Sequence, residues 1–142
     1  SILSERENDF ASSEQDLRAI LAQDANNSMA LNALGYTLTL HTDRYEEARQ
    51  LILRALELNP GDPAIIDSLG WVLFQLGEYD TAIIHLREAL EKMPDPEIAA
   101  HLGEALWAND QREEALQIWQ QILEQHPDNP IILETMQRLQ AE

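Results

Sequence analysis

Residues 66–94 read IDSLGWVLFQLGEYDTAIIHLREALEKMP, and this stretch decides how the chain is built. It sets Gly70 beside Trp71 inside a run whose apolar spacing is helical. Ile66, Leu69, Gly70 and Leu73 fall on one face, and Ala82, Leu86 and Ala89 fall on another, the i, i+3, i+4, i+7 pattern of two amphipathic helices. A glycine inside a helix costs roughly 0.5–1 kcal/mol relative to alanine. The small residues Gly70 and Ala82 return that cost if they let two antiparallel helices approach closely.

The same stretch recurs on either side. LNALGYTL (31–38) followed by EEARQLILRALELNP (46–60) precedes it, and AAHLGEAL (99–106) followed by EEALQIWQQILEQHP (113–127) comes after. Leu-Gly stands at Leu34-Gly35, Leu69-Gly70 and Leu102-Gly103, spacings of 35 and 33 residues. An alanine follows each glycine by 12 or 13 positions (Ala48, Ala82, Ala115), and a proline closes each unit twelve residues later (Pro60, Pro94, Pro127). The first unit carries one extra residue in its HTDRY turn, 41–45.

This pattern resembles the tetratricopeptide repeat, W-x2-L-G-x2-Y, then A-x3-F, then P, over about 34 residues. It departs at the first position, where Leu31, Ile66 and Ala99 stand in place of tryptophan; these are smaller core residues. The resemblance implies an all-α fold, a right-handed superhelical solenoid of antiparallel helix pairs. The expected organisation is a truncated, degenerate half-unit over 1–27, repeats over 28–62, 63–95 and 96–129, and a capping helix over 130–142. Helices are expected at 11–23, 28–40, 45–58, 63–76, 79–92, 96–108, 112–125 and 130–140. Residues 1–7 read as the end of a first helix, with 16–27 as its partner.

Asp62-Pro63, Asp95-Pro96 and Asn129-Pro130 each place a capping side chain before a proline at the first helical position. Asp43 with Glu46, and Asp110 with Glu113, have capping-box spacing. The last helix is expected to turn Ile131, Ile132, Leu133, Met136 and Leu139 inward and Glu134, Gln137, Arg138 and Gln140 outward. The opening SILSEREN lacks Met and a signal-like core, so the start reads as cut and the capped end as natural. Ile2, Leu3, Leu17, Ile20 and Leu21 are then expected to form an apolar edge prone to self-association.

Composition narrows the function. Nine Lys+Arg against 26 Asp+Glu give a net charge of −17, which disfavours nucleic acid and anionic membrane surfaces as partners. No cysteine is present, so neither disulfides nor thiolate metal sites are expected. No apolar run approaches the roughly 18 residues of a membrane span. His41, His85, His101 and His126 occupy different repeat positions without an H-x3-H pair, so no metal is expected. Glu46-Glu47 and Glu113-Glu114 open helices, where the macrodipole favours negative charge. With no glycine-rich phosphate loop, no G-x-S-x-G and no cysteine nucleophile, no enzyme and no cofactor are expected.

The resemblance further implies that the first helix of each pair lines a concave groove. Carried over, the binding positions are Asn32, Tyr36 and Thr39 in the first repeat, Asp67, Trp71, Phe74 and Gln75 in the second, and His101, Glu104 and Trp107 in the third. Tyr36 and Trp71 share one repeat position and are expected to form an aromatic floor open to a ligand, extended by Phe74 and Trp107. Trp119 falls at the core phenylalanine position. Residues 28–40, 63–76 and 96–108 hold no Lys or Arg. The clamp by which some tetratricopeptide domains hold acidic C-termini needs charge-assisted donors, and only Asn32 fits it. The expected partner is instead an apolar or amphipathic, basic protein segment.

LNALGYTL, DSLGWVLFQLGEYDTAIIHLREAL and PEIAAHLGEALWANDQREEALQIW resemble the C-terminal repeats of bacterial outer-membrane tetratricopeptide lipoproteins. One type is an adaptor that brings a carboxyl-terminal processing protease to cell-wall hydrolases. That likeness implies a periplasmic scaffold held by an N-terminal lipid anchor, with a cytoplasmic location as the alternative. A structural capping part of a longer solenoid, or a regulatory segment of a larger protein, is the competing class.

Overall fold

The computed structural model describes the backbone of residues 2–141 and the side chains of residues 9–141. Within them the chain forms eight helices: α1 (Ile2–Gln23), α2 (Ser28–His41), α3 (Tyr45–Leu58), α4 (Pro63–Gln75), α5 (Tyr79–Lys92), α6 (Pro96–Ala108), α7 (Arg112–Gln125) and α8 (Pro130–Gln140). Helices α2 and α3, α4 and α5, and α6 and α7 pack as pairs, and α2, α4, α6 and α8 meet in succession.

Each pair closes on its glycine. A Cβ at Gly35 would lie 2.5 Å from Ile52 Cγ1, and one at Gly70 would lie 2.6 Å from Leu86 Cγ. At Gly103 it would run into the Trp119 indole, which is wholly buried. Ile52, Leu86 and Trp119 occupy equivalent places in α3, α5 and α7, so the second helix of each pair presses one large side chain onto a bare backbone. In α8 Gln137 stands where the other three have glycine, and it is exposed. Position 137 of α8 therefore offers no bare backbone of the kind onto which α3, α5 and α7 press.

Helix starts follow the sequence where proline opens them. Asp62 accepts from Ala64 N at 2.9 Å, Asp95 from Glu97 N at 2.8 Å, and Asn129 from Ile131 N and Ile132 N. Asn27 caps α2 by accepting from Ala30 N. The two capping boxes do not form: α3 and α7 begin after Arg44 and Gln111, without a side-chain cap. Asp110 is instead consumed in ending α6. It has φ 61°, and the bonds Asp110 N→Trp107 O and Gln111 N→Leu106 O match Gly77 N→Phe74 O and Glu78 N→Leu73 O at the end of α4, where Gly77 has φ 84°.

Two other expectations are corrected. Helix α1 is continuous through residues 2–23, not two segments, because no glycine or proline interrupts it. In α8 Ile132, Thr135 and Leu139 are buried, while Ile131 and Leu133 are exposed. At 100° per residue, 131 and 133 flank the 132–135–139 stripe rather than join it. Of the expected N-terminal edge, Leu17 and Leu21 pack half-buried on the core and Ile20 is exposed; the side chains of Ile2 and Leu3 lie outside the described residues.

Candidate functional site

Repeat spacing brings one face of α2, α4 and α6 together, and the polar groups there bond across helices. Asp67 Oδ1 and His101 Nδ1 are 2.9 Å apart, linking α4 to α6. Tyr36 Oη donates to Glu97 Oε1 at 2.5 Å, linking α2 to α6, and stands 3.5 Å from His101 Nε2. His101 and Asp67 are each only 8% exposed, so their bond forms in a shielded setting, while the Tyr36–Glu97 bond lies at the exposed edge of the network. Burial, then the Glu97 bond, pushes the Tyr36 phenol far above its ordinary range, so it remains an O–H donor.

Beside this network lies a cavity of about 190 Å³ lined by Asn32, Tyr36, Ala64, Asp67, Ser68, Met93, Asp95, Glu97 and Ile98. Two of the donors are already used within the protein, Ser68 Oγ on Ala64 O and Tyr36 on Glu97, and Asn32 keeps its amide N–H groups. Three carboxylates remain, each oriented by one bond: Asp67 by His101, Asp95 by the α6 N-terminus and Glu97 by Tyr36. Asn32 Oδ1 is shielded from solvent and has no hydrogen-bond partner. Acceptors in excess and no cation on the lining suit a ligand that brings several N–H groups.

The residues expected in the groove divide. Asn32, Tyr36 and Asp67 line the cavity, and His101 holds Asp67 and Tyr36 behind it. Trp71 is not an open platform. It is 8% exposed and stacked on His101 at 4.1 Å and on Phe74 at 4.9 Å, so His101 occupies the place expected for a Tyr36–Trp71 floor. Phe74 also meets Tyr79 and packs against the core. Thr39 is buried and spends its hydroxyl on Gly35 O. Gln75, the last residue of α4, is not among the cavity residues. Glu104 is held in a two-bond pair by Arg138 of α8, at 2.6 and 3.1 Å. Trp107 lies 5.8 Å from Trp119 with the Arg112 guanidinium over its ring, so it joins α6 to α7.

Sequence reasoning missed Asp95, Met93 and Ile98. The Asp-Pro pair marks Asp95 only as a cap, although a cap preceding α6 necessarily sits at the mouth between α4 and α6. Among the described residues no group of three His, Cys, Asp or Glu is arranged to hold a metal ion, and no helix is long and apolar enough to cross a membrane.

Comparison with known proteins places these features. Two tetratricopeptide-repeat family models match, one over residues 26–95 and one over residues 73–139. A TPR repeat-containing protein of Pseudomonas aeruginosa is 56% identical over 104 residues, 73% of this chain and 18% of that protein. A thermophilic TPR protein of Thermus thermophilus superimposes with a TM-score of 0.75 at 25% identity, covering 90% of this chain and 70% of that one. MamA of Desulfovibrio magneticus RS-1 shares the fold, with a TM-score of 0.73 at 18% identity over 91% of this chain and 73% of its own. The chain spans a quarter or less of the length of the curated relatives it matches. With glycine-closed helix pairs repeating from α2 to α7 and family models matching across residues 26–139, this chain belongs to the tetratricopeptide-repeat family.

Proposed function

We propose that this chain is a protein-binding part of a longer solenoid and takes a basic, amphipathic segment of a partner against the cavity between α2, α4 and α6. The tetratricopeptide fold is typical of protein–protein interaction scaffolds, which are generally non-enzymatic. The observation that carries the reading is the acceptor-rich cavity itself: Asp67, Asp95, Glu97 and Asn32 line it, and α2, α4 and α6 contain no Lys or Arg. A lysine or arginine anchor supplies the missing donors, and Met93 and Ile98 offer apolar wall for its stem. An acidic segment would meet only like charge.

The test is calorimetric titration with two peptides of equal length and hydropathy, one with Lys and Arg between apolar anchors and one with Glu in their place. The basic peptide should bind and the acidic one should not; binding of neither removes this reading.

The likeness to outer-membrane lipoproteins extends the proposal to a periplasmic adaptor, anchored outside this segment, whose partner is a carboxyl-terminal processing protease. Co-purification of the full-length protein with such a protease, and its fractionation with the outer membrane, test that extension. A second reading, a structural cap without a ligand, draws support from Gln137 at the glycine position of α8. It expects the parent to lose stability without α8 while its partners still bind.

A further inference from the structure

The polarity of the hydrogen bonds around His101 has a consequence for the free protein, whether or not a segment occupies the cavity. His101 is faced from α4 by Asp67 and the Trp71 ring, and from α2 by Tyr36. On its own helix Glu97 lies one turn before it and Glu104 one turn after; Glu104 is engaged by Arg138 of α8. Asp95 precedes that helix and carries further negative charge near Tyr36. Helices α5 and α7 contribute no group to the His101 contacts among the described residues.

Asp67 is an acceptor, so His101 Nδ1 must carry a proton to bond it. Tyr36 has one proton, and at 2.5 Å it goes to Glu97. The Tyr36 oxygen therefore meets Nε2 as an acceptor. A neutral imidazole has only one N–H. With that hydrogen on Nδ1 its Nε2 lone pair opposes the phenol oxygen; with it on Nε2 the Asp67 bond is lost. Only the imidazolium, with both nitrogens protonated, completes the chain Asp67–His101–Tyr36–Glu97.

We propose that His101 is a proton-operated clasp. Uptake of its second ring proton adds a His101–Tyr36 contact to the Tyr36–Glu97 bond and tightens α2 on α4 and α6; loss of that proton leaves Tyr36 held through Glu97 alone. Acid therefore favours the tied arrangement and alkali the loosened one.

The full chain tests this without a ligand. The ring protons of His101 and Tyr36 are followed by NMR across about pH 5 to pH 8, with amide exchange in α2 corrected for its intrinsic pH dependence. The two rings should shift with one shared midpoint. Protection around Tyr36 should fall about twofold on the alkaline side, because the His101–Tyr36 contact at 3.5 Å is long for a hydrogen bond and the Tyr36–Glu97 bond persists. Tyr36→Phe should abolish that change in α2 while His101 still titrates. Trp71, stacked on His101, should report the same midpoint in its fluorescence, and Trp71→Phe should remove that signal. A His101 that keeps one state across the range, or that titrates while Tyr36 and α2 stay unchanged, overturns the clasp. These readouts come from the unsubstituted protein first, so a His101→Gln variant that failed to fold would not leave the question open.

Discussion

At the scale of single residues, the two side chains that open the repeat have separate jobs. Gly70 exists for Leu86: any Cβ there would overlap the Leu86 isobutyl group and come within 3.3 Å of Ala82 O. Gly70→Leu should therefore cost about 1–3 kcal/mol of stability through overpacking. An unchanged urea midpoint would remove this account of the glycine. Trp71, covered by His101 and Phe74, belongs to the packing of α4 against α6, so Trp71→Ala should cost about 3 kcal/mol even without a partner. Asp110 is the converse case. Left-handed backbone costs a non-glycine residue about 1–2 kcal/mol, and the entropy of glycine returns roughly 0.5–1 of it. Asp110→Gly should raise thermal stability by about 0.5–1 kcal/mol, making the end of α6 match that of α4; a lowered melting point would show that the Asp110 side chain has a use of its own. The sequence already exposed the glycine contacts, since small residues recur opposite large ones at fixed spacing. It misassigned Asp110, because the same Asp-x-x-Glu letters serve a helix start or a left-handed helix end, and only the backbone bonds separate them.

At the scale of elements, α1 is the helix whose attachment differs most. It docks on the core through Phe10, Leu17 and Leu21, and an ion network joins it to the α2–α3 corner and α3. Arg18 bonds Glu14 and Glu47, and Arg44 bonds the same two carboxylates. Glu14 is held below the usual carboxylate range by its bonds to Arg44 and then Arg18, and Glu47 chiefly by Arg18. For carboxylates lowered by folding, the stabilisation is present at neutral pH and is lost as pH falls through the lowered values. Helix α1 should thus come loose first in acid, and earlier in high salt. Each pair contributes under about 1 kcal/mol, because Arg18, Arg44 and Glu47 are well exposed. Hydrogen exchange on Glu14→Gln at neutral pH should show a loss of protection confined to α1, while α4 and α6 are unchanged; equal loss in all three would mean that the network stabilises the whole stack. Helix positions from α2 onward were readable because the repeats align with one another and Pro63, Pro96, Pro130 and Gly77 mark boundaries among them. Helix α1 carries no such mark, and its continuity depends on packing that one unrepeated segment does not encode visibly.

At the scale of the molecule, the net charge of −17 is spread over the chain, and the fold brings three of its carboxylates, Asp67, Asp95 and Glu97, onto one cavity. Half of that site was legible: the tetratricopeptide resemblance, carried over position by position, implies that Asn32, Tyr36, Asp67 and His101 share one face. The rest was hidden because facing a groove differs from being free in it. Trp71 and Glu104 meet His101 and Arg138 on other helices about thirty residues away, Trp107 meets α7, and Thr39 turns back on the carbonyl of Gly35. This division yields a test that separates charge in the cavity from charge elsewhere on the same helices. Asp95→Asn removes one cavity carboxylate yet keeps an amide oxygen to cap α6, since asparagine caps helices about as well as aspartate. Glu104→Gln removes a carboxylate already neutralised by Arg138 and outside the cavity lining. Both variants lose one negative charge, so long-range attraction to a basic peptide falls equally and should slow association equally at low salt. Only Asp95→Asn should quicken dissociation, weakening binding about fivefold, or roughly 1 kcal/mol, with the melting point unchanged. Glu104→Gln should instead loosen α8 and leave the dissociation rate as it was. Equal dissociation rates for the two variants in a surface-binding assay would mean that the peptide is held by the overall field of the chain and not by the cavity between α2, α4 and α6.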